Sequence, residues 1–178
     1  MDKMNFIDLF AGTGAFTLAL ESSDKFRCVF SNDMMKCSKN IYDLNHTNHT
    51  LTLQDLNTID VSHIPAHDIL CGGFPCQPFS NGGKKKAFDD DRGLLFDEII
   101  RIAKVKKPSF MFLENVKHIL KVNNGEVIRY IKQKINETGY ELQLFQLSPH
   151  EYGIPQQRER IYFVCVRKDI YKNENFLI

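Results

Sequence analysis

The sequence predicts one α/β domain built around a mostly parallel β-sheet. Its 178 residues suit a single domain with a real core, since a chain of this size buries roughly 70% of the surface it exposes when unfolded. Short apolar runs of strand length alternate with segments of helical period, which is the pattern of an α/β fold. The strand-length runs are nearly continuous in hydrophobicity, as expected of strands covered on both faces.

About seven strands are expected. The sheet centre is predicted at residues 5–10, 26–30, 68–71 and 109–113, and the final strands at residues 141–147 and 161–166. Two segments between them repeat apolar residues at helical spacing, so each can turn one face to the sheet. These residues are Phe96, Ile99, Ile100 and Ala103 in the first segment, and Val127, Ile128, Ile131 and Ile135 in the second.

The composition is that of an ordinary soluble protein, with 43% hydrophobic and 25% charged residues. No apolar run approaches the roughly 20 residues that span a bilayer, and the N-terminus lacks the pattern of a signal peptide. Five cysteines without paired spacing fit a reducing compartment, and Cys28, Cys71 and Cys165 are expected in the core. Six scattered histidines offer no zinc spacing. We therefore expect a cytoplasmic protein without a metal.

A glycine-containing run at residues 8–14 marks the turn from the first strand into the first helix. Glycines there let the backbone approach a ligand at the helix N-terminus. Asp33 follows the second strand, 19 residues after Gly14, where a carboxylate can accept hydrogen bonds from both ribose hydroxyls. The third glycine of a dinucleotide site is missing, which favours a single nucleoside. Asp55 could accept a bond from an adenine amino group, although both aspartates could instead be helix caps or loop carboxylates.

A second group of motifs indicates a nucleophilic site. Cys76 stands between two prolines in the run at residues 72–80, which begins at the carboxyl end of a predicted strand. A free cysteine has a pKa near roughly 8.5, so a nucleophilic one needs a positive or dipolar environment. Glu114 follows the next strand at the same end of the sheet, and Arg158 and Arg160 would face one side of an extended backbone. Each group alone could be a cap or a surface charge.

The segment at residues 81–92 has almost no apolar content and directly follows these motifs. It contains two adjacent glycines, three lysines and three aspartates in succession. Such a run predicts an exposed loop, and a solvated surface is the simplest explanation of its charge.

Taken together, the runs Asp-Leu-Phe-Ala-Gly-x-Gly, Pro-Cys-Gln-Pro, Glu-Asn-Val and Gln-x-Arg-x-Arg resemble the cytosine-5 DNA methyltransferase family, in the family's order and over nearly the whole chain. The resemblance implies the methyltransferase (Rossmann-like) variant of the doubly wound, mostly parallel sheet, with S-adenosylmethionine as cofactor. The positions it assigns to the cofactor are Phe10, Gly12, Gly14, Asp33, Met34, Asp55, Leu56, Pro75 and Leu95. The family usually has Glu at position 33 and often an aromatic residue at position 34.

The resemblance also implies a mechanism on a cytosine flipped out of double-stranded DNA. Cys76 would add to C6, Glu114 would bind N3 and the N4 amino group, Arg158 would hold O2, and Arg160 would position the thiol loop. Residues 81–92 resemble the mobile loop that closes over the base. Further substrate contacts are expected at Phe74, Gln77, Ser80, Asn115, Val116 and Gln156.

Family enzymes continue into a target-recognition domain and a returning segment that completes the catalytic domain. We expect residues 1–178 to form a single catalytic and cofactor-binding domain that is incomplete at its C-terminus. The net charge of +1 agrees, since much of the DNA-binding surface would lie elsewhere. A second polypeptide carrying target recognition is therefore expected. The alternatives are a catalytically silent truncated or regulatory module, and a relative that methylates transfer RNA.

Overall fold

The computed structural model describes residues 2–75 and 95–173. They contain a seven-stranded sheet in the order β3-β2-β1-β4-β5-β7-β6. The first five strands in this order are parallel to one another, while β7 runs antiparallel to both β5 and β6. The strands are β1 (Met4–Leu9), β2 (Phe26–Asp33), β3 (Thr52–Leu53), β4 (Ile69–Gly73), β5 (Phe110–Val116), β6 (Tyr140–Leu147) and β7 (Arg160–Arg167).

Helices connect the parallel strands, as the alternation of apolar patterns predicts. The described helices are α1 (Ala15–Glu21), α2 (Lys36–Asn45), α3 (Leu95–Lys106), α4 (Glu126–Glu137) and α5 (Lys168–Asn173). Single 3₁₀ turns lie at Leu56–Thr58, Val61–His63, Lys117–Leu120, Val122–Gly125 and Pro149–Tyr152. Among the residues described, no helix is long and apolar enough to cross a membrane.

The main core lies between the sheet and the pair of helices α3 and α4. The predicted inner face of α3 is confirmed, since Phe96, Ile99 and Ala103 are each at most 1% exposed. On α4, Val127, Ile131 and Ile135 are fully buried in the same cluster. The predicted core cysteines are also confirmed: Cys28, Cys71 and Cys165 are buried in β2, β4 and β7.

The opposite face of the sheet is covered unevenly. Over β1 and β4 it is buried, with Phe6 and Cys71 fully inaccessible to solvent. Along β5 the burial alternates, because Met111 and Leu113 point into the main core while Phe112 is only half-buried. The expectation that residues 109–113 are covered on both faces is therefore wrong for the described part of the chain. Strict alternation of this kind is typical of a strand with one open face.

Candidate active site

The predicted site residues gather at one end of the sheet. The carboxyl ends of β1, β2, β4 and β5 meet there because these strands are parallel neighbours. The amino end of β7 joins them because that strand runs the opposite way. This is the end at which open α/β sheets bind ligands. Two clusters stand out, one after β1 and β2 and one after β4 and β5.

The glycine loop, residues 10–14, turns sharply between β1 and α1. Phe10, Gly12 and Gly14 have φ angles of 54°, 55° and 89°, in the left-handed region that favours glycine. At Gly14 space also forbids a side chain, since a Cβ would lie 2.1 Å from Nε2 of His46. The loop is held on that side by a hydrogen bond of 3.2 Å between this ring nitrogen and the carbonyl of Thr13.

Asp33 ends β2 and faces the glycine loop. Its Oδ2 accepts a hydrogen bond of 2.9 Å from the N–H of Gly12, and its Oδ1 accepts one of 2.7 Å from the N–H of Met35. The residue is 9% exposed. Because each carboxylate oxygen has two lone pairs, both can accept a further hydrogen bond from a ligand. The carboxylate thus fixes the loop and remains able to bind hydroxyl groups.

The other residues predicted to bind the cofactor differ in how far they are buried. Met34 is 63% exposed beside Asp33, and Asp55 is exposed. Asp55 caps a 3₁₀ turn, accepting 3.0 Å from the N–H of Asn57, which is the alternative role that the sequence leaves open. The side chain of Leu56 is buried in the main core. Pro75 and Leu95, at the two borders of the described ranges, are partly exposed.

A buried polar chain lies beneath the glycine loop, and the sequence analysis assigned it no role. Oδ2 of Asp8 accepts 2.8 Å from the Thr17 hydroxyl, which lies 3.0 Å from the Tyr42 hydroxyl, which in turn lies 2.6 Å from Nε2 of His49. Burial raises the pKa of Asp8 to about 7, against the opposing bonds from Thr17. The sequence signal for this hydrogen-bonded row of side chains is an aspartate within an otherwise apolar strand.

The second cluster centres on an ion pair between Glu114 and Arg160. Nε of Arg160 lies 2.6 Å from Oε1 of Glu114, and the two side chains are 17% and 24% exposed. The carboxyl group of Glu114 lies against the end of the neighbouring strand β4, since a Cβ built on Gly73 would be 3.4 Å from Oε2. Arg160 therefore holds one oxygen of Glu114 while the other faces the end of β4.

Tyr162 is a further member of this cluster that the sequence analysis did not identify. It stands opposite Glu114 in the β5–β7 ladder. Burial raises the pKa of its phenol, Glu114 adds to the rise, and Arg160 and Arg158 both oppose it. Both arginines are therefore close to Tyr162, although Arg158 is exposed and Arg160 is not.

The loop that carries the arginines is fastened to the ends of β5 and β6. The Ser148 hydroxyl accepts 3.1 Å from the N–H of Arg158. Glu159 pairs with Lys117 at 2.8 Å and accepts 2.9 Å from Gln146. The remaining predicted contact here, Gln156, is exposed. These bonds set where Arg160 enters β7.

Three of the predicted substrate contacts lie at the ends of β4 and β5. Phe74 is 3% exposed and packs against the rings of Phe96 and Phe163. Asn115 is 2% exposed and Val116 is 37% exposed.

The predicted nucleophile Cys76, together with Gln77, Ser80 and the charged segment 81–92, lies outside the described residues. Within residues 2–75 and 95–173, no group of three or more His, Cys, Asp or Glu side chains is arranged to hold a metal ion.

Comparison with known proteins agrees with these motifs and this sheet order. Residues 4–177 match the family described as C-5 cytosine-specific DNA methylase. The chain belongs to this family. The type II methyltransferase M.HhaI of Haemophilus parahaemolyticus is 46% identical over 167 residues, which are 94% of this chain and 50% of that protein. M.NlaX of Neisseria lactamica is 45% identical over 159 residues, 89% of this chain and 50% of that protein. The methylase chain thus spans about half the length of these curated relatives.

Solved structures show the same fold. The Dnmt2 methyltransferase of S. pombe superimposes with a TM-score of 0.74 at 23% identity, covering 94% of this chain and 50% of that one. The methyltransferase EhMeth of Entamoeba histolytica gives 0.75 at 24% identity, covering 98% of this chain and 56% of that one. The predicted Rossmann-like methyltransferase fold, with its mostly parallel sheet, is confirmed.

Proposed function

We propose that this chain is the catalytic part of a DNA cytosine-5 methyltransferase that acts through a covalent bond between Cys76 and C6 of the base. The observation that carries the proposal is the pair of Glu114 and Arg160 beside the end of β4. Phe74, Pro75 and Cys76 follow that strand in the sequence. An acid with one oxygen facing the end of the strand that leads into a cysteine is the arrangement that addition to a cytosine ring requires.

The chemistry divides between the cysteine and the acid. The Cys76 thiolate forms a bond to C6, and the electron pair of the C5–C6 double bond moves into the ring, where a hydrogen bond or proton from Glu114 at N3 relieves the charge. C5 is then an enamine carbon that takes a methyl group. Loss of the C5 proton to a base breaks the C6–S bond and returns the thiolate. Glu114 can also accept from the N4 amino group, which distinguishes cytosine from thymine.

Arg160 and Arg158 have separate tasks in this proposal. Arg160 orients Glu114, since its guanidinium is permanently charged and bonds one carboxyl oxygen. Arg158 is exposed two residues before β7 and acts electrostatically on Tyr162, and in this proposal it donates to O2 of the base. Gln156, Val116, Gln77 and Ser80 would complete the contacts with the base and its strand.

The cluster after β1 and β2 fits S-adenosylmethionine, which would supply an electrophilic methyl group. The left-handed glycine loop leaves backbone free to approach a ligand, and Asp33 offers lone pairs to the ribose hydroxyls. Phe10 and Met34 provide apolar contact next to it. Asp55 and the backbone of Leu56 would border the adenine, while Pro75 and Leu95 would close the site from the β4 side.

We further propose that a second polypeptide supplies target recognition and completes the catalytic domain. The chain spans half of its relatives, and one face of β5, β7 and β6 is only half covered. Phe112, Val164 and Phe145 are partly exposed there, in line with Glu114 on the same face. Packing on this face would bring the second polypeptide next to the proposed acid.

A chimera tests this proposal directly. The chain is to replace the matching half of M.HhaI, so that the second half of that relative supplies the missing part. We expect transfer of labelled methyl groups from S-adenosylmethionine to duplex DNA containing that relative's target. We also expect a covalent adduct with duplex containing 5-fluorocytosine, because fluorine at C5 prevents the release of the thiol. Both signals should vanish in Cys76→Ser.

The outcomes separate the alternatives. A folded chimera that binds the cofactor but forms no adduct would mean a catalytically silent module. Transfer to transfer RNA in preference to DNA would mean the RNA-directed alternative. Methyl transfer that survives Cys76→Ser would contradict the covalent mechanism while leaving the cofactor site intact.

A further inference from the structure

Both polar atoms of the Asn115 side chain, at the end of β5, make hydrogen bonds within the protein. Its Nδ2 donates a hydrogen bond of 2.8 Å to the carbonyl of Phe74, and its Oδ1 accepts one of 2.8 Å from the N–H of Val116. The residue is 2% exposed. Neighbouring residues on a strand point to opposite faces, so Asn115 points into the core while Glu114 points to the half-open face.

The bond reaches Phe74, which directly follows β4 and precedes the nucleophile segment. The ring of Phe74 is locked between Phe96 and Phe163, with centroids 5.4 Å and 5.9 Å away. Its carbonyl leads into Pro75, which has a fixed φ angle and no N–H of its own to bond. A residue before proline is restricted to extended conformations. The orientation of this one carbonyl therefore sets the direction in which the chain continues towards Cys76.

We infer that Asn115 is a positioning residue, which aims the nucleophile segment by holding the carbonyl of Phe74, and that it does not contact the base. The inference rests on the proposed function of Cys76. Glu114 and Asn115 are adjacent residues of β5. A displacement of this strand would therefore move the proposed acid directly and the proposed nucleophile through the bond to Phe74.

A merely structural role makes a different prediction from a positioning role. A buried asparagine that only stabilises the fold would affect the unfolding midpoint and leave turnover per folded molecule unchanged. A positioning residue changes kcat, because misplacement of a reacting group by about 1 Å can lower a rate by about 100-fold. It changes the cofactor KM much less than kcat, because Asp33 and the glycine loop are on other strands and only Pro75 of the proposed cofactor contacts follows Phe74.

The first measurement is made on this chain alone. Phe74–Pro75 is the only Phe-Pro pair in the sequence, so labelling Phe at the carbonyl carbon and Pro at nitrogen isolates a single carbonyl resonance. We expect it to move upfield in Asn115→Ala and Asn115→Asp, which both remove the N–H donor. Asn115→Asp keeps the acceptor for Val116, so a resonance that moves only in Asn115→Ala would contradict the assignment.

The matched control is Tyr140→Phe. This change removes a bond of the same kind, in which a buried hydroxyl donates 2.7 Å to the carbonyl of Pro108, at the opposite end of β5. We expect a similar loss of stability with no shift of the Phe74 resonance and no change in kcat. A shift in this control would mean that the probe reports global loosening.

The second measurement is steady-state kinetics in the M.HhaI chimera. We expect kcat to fall about 100-fold in both Asn115 variants, with a much smaller change in the cofactor KM. If the resonance moves and kcat per folded molecule does not, the positioning role is refuted. If the unsubstituted chimera transfers no methyl groups, the proposed function fails by itself, and the resonance still decides whether Asn115 holds Phe74.

Discussion

The glycine loop after β1 and the ion pair after β5 lie at the same end of the sheet but are held in different ways. The loop is fixed by buried groups on three sides: Asp33 on Gly12, His46 on Thr13, and Asp8 beneath α1. The pair of Glu114 and Arg160 is partly exposed and is fastened by a surface loop. Within the described residues, the proposed cofactor site is thus held by buried groups, whereas the proposed base site lies beside a half-covered face of the sheet.

This difference has a physical cause. A nucleoside site needs backbone geometry and a few fixed acceptors, which one strand–helix turn can supply. A site for an extruded base needs charged groups that work in a water-excluded space. Here the half-covered face of β5 and β7 leaves Glu114 accessible to solvent. The base side therefore depends on what packs against that face.

Glu114→Gln should give the largest effect. Glutamine keeps the shape and an acceptor for Arg160 but has no carboxylic proton for N3. We expect methyl transfer by the chimera to fall about 100-fold or more, the usual range for loss of a general acid. Cofactor affinity measured by calorimetry should be unchanged. Glu137→Gln, on the exposed end of α4, is the control and should leave transfer intact.

A loss of cofactor affinity in Glu114→Gln would show that the two clusters are energetically coupled. That result would contradict the view that each cluster has a separate role.

Asp33→Ala should produce the opposite profile. It removes the acceptor for two backbone N–H groups and the proposed ribose ligand. Hydrogen bonds to a charged group are worth about 1.5–3 kcal/mol, so we expect S-adenosylmethionine to bind about 10- to 100-fold more weakly to the chain in calorimetry. Transfer by the chimera at saturating cofactor should recover most of its rate.

The control for Asp33 is Asp43→Ala. Asp43 also accepts from one backbone N–H, that of Leu51 at 2.9 Å, and from Lys39 at 2.7 Å. It should lose stability without losing cofactor affinity. Equal losses in both variants would show that Asp33 acts through the fold alone.

The contrast also explains which features the sequence could predict. Hydrophobic periodicity located the strands and the inner faces of α3 and α4, because those patterns are local. The position of β7 between β5 and β6 depends on pairings between distant segments, and no local pattern encodes it. The ion pair is set by the β5–β7 register, in which Val116 faces Arg160 and Glu114 faces Tyr162.

Asn115 shows what a motif alone leaves out. The run Glu-Asn-Val suggested two adjacent contacts with the base, and the structure adds that alternation along β5 turns Glu114 to the half-open face and Asn115 into the core. The open face of β5 was missed for a related reason. Its apolar residues look the same in sequence whether a helix of this chain or a separate part covers them.

The last expected effect concerns stability and not activity: it is a pH dependence at Asp8. Its pKa is raised by burial to about 7 from an ordinary value of 3.8, so between these values the folded state holds a proton that the unfolded state has lost. The free energy of unfolding should therefore fall as pH rises through this interval, by up to about 1 kcal/mol per pH unit. The burial of Cys28 and Tyr42 raises their pKa values above this range.

Urea unfolding of this chain and of Asp8→Asn between pH 4 and pH 8 measures the effect as a difference. The wild-type curve should fall relative to the variant up to about pH 7 and then run parallel to it, because the amide does not titrate. His49, whose pKa is lowered by burial, titrates in both proteins and cancels in the difference. Asp60→Asn supplies the control of opposite sign, since hydrogen bonds from Ser62 lower the pKa of that exposed carboxylate. Parallel curves for wild type and Asp8→Asn would mean that Asp8, under the glycine loop, does not hold a proton in this pH range.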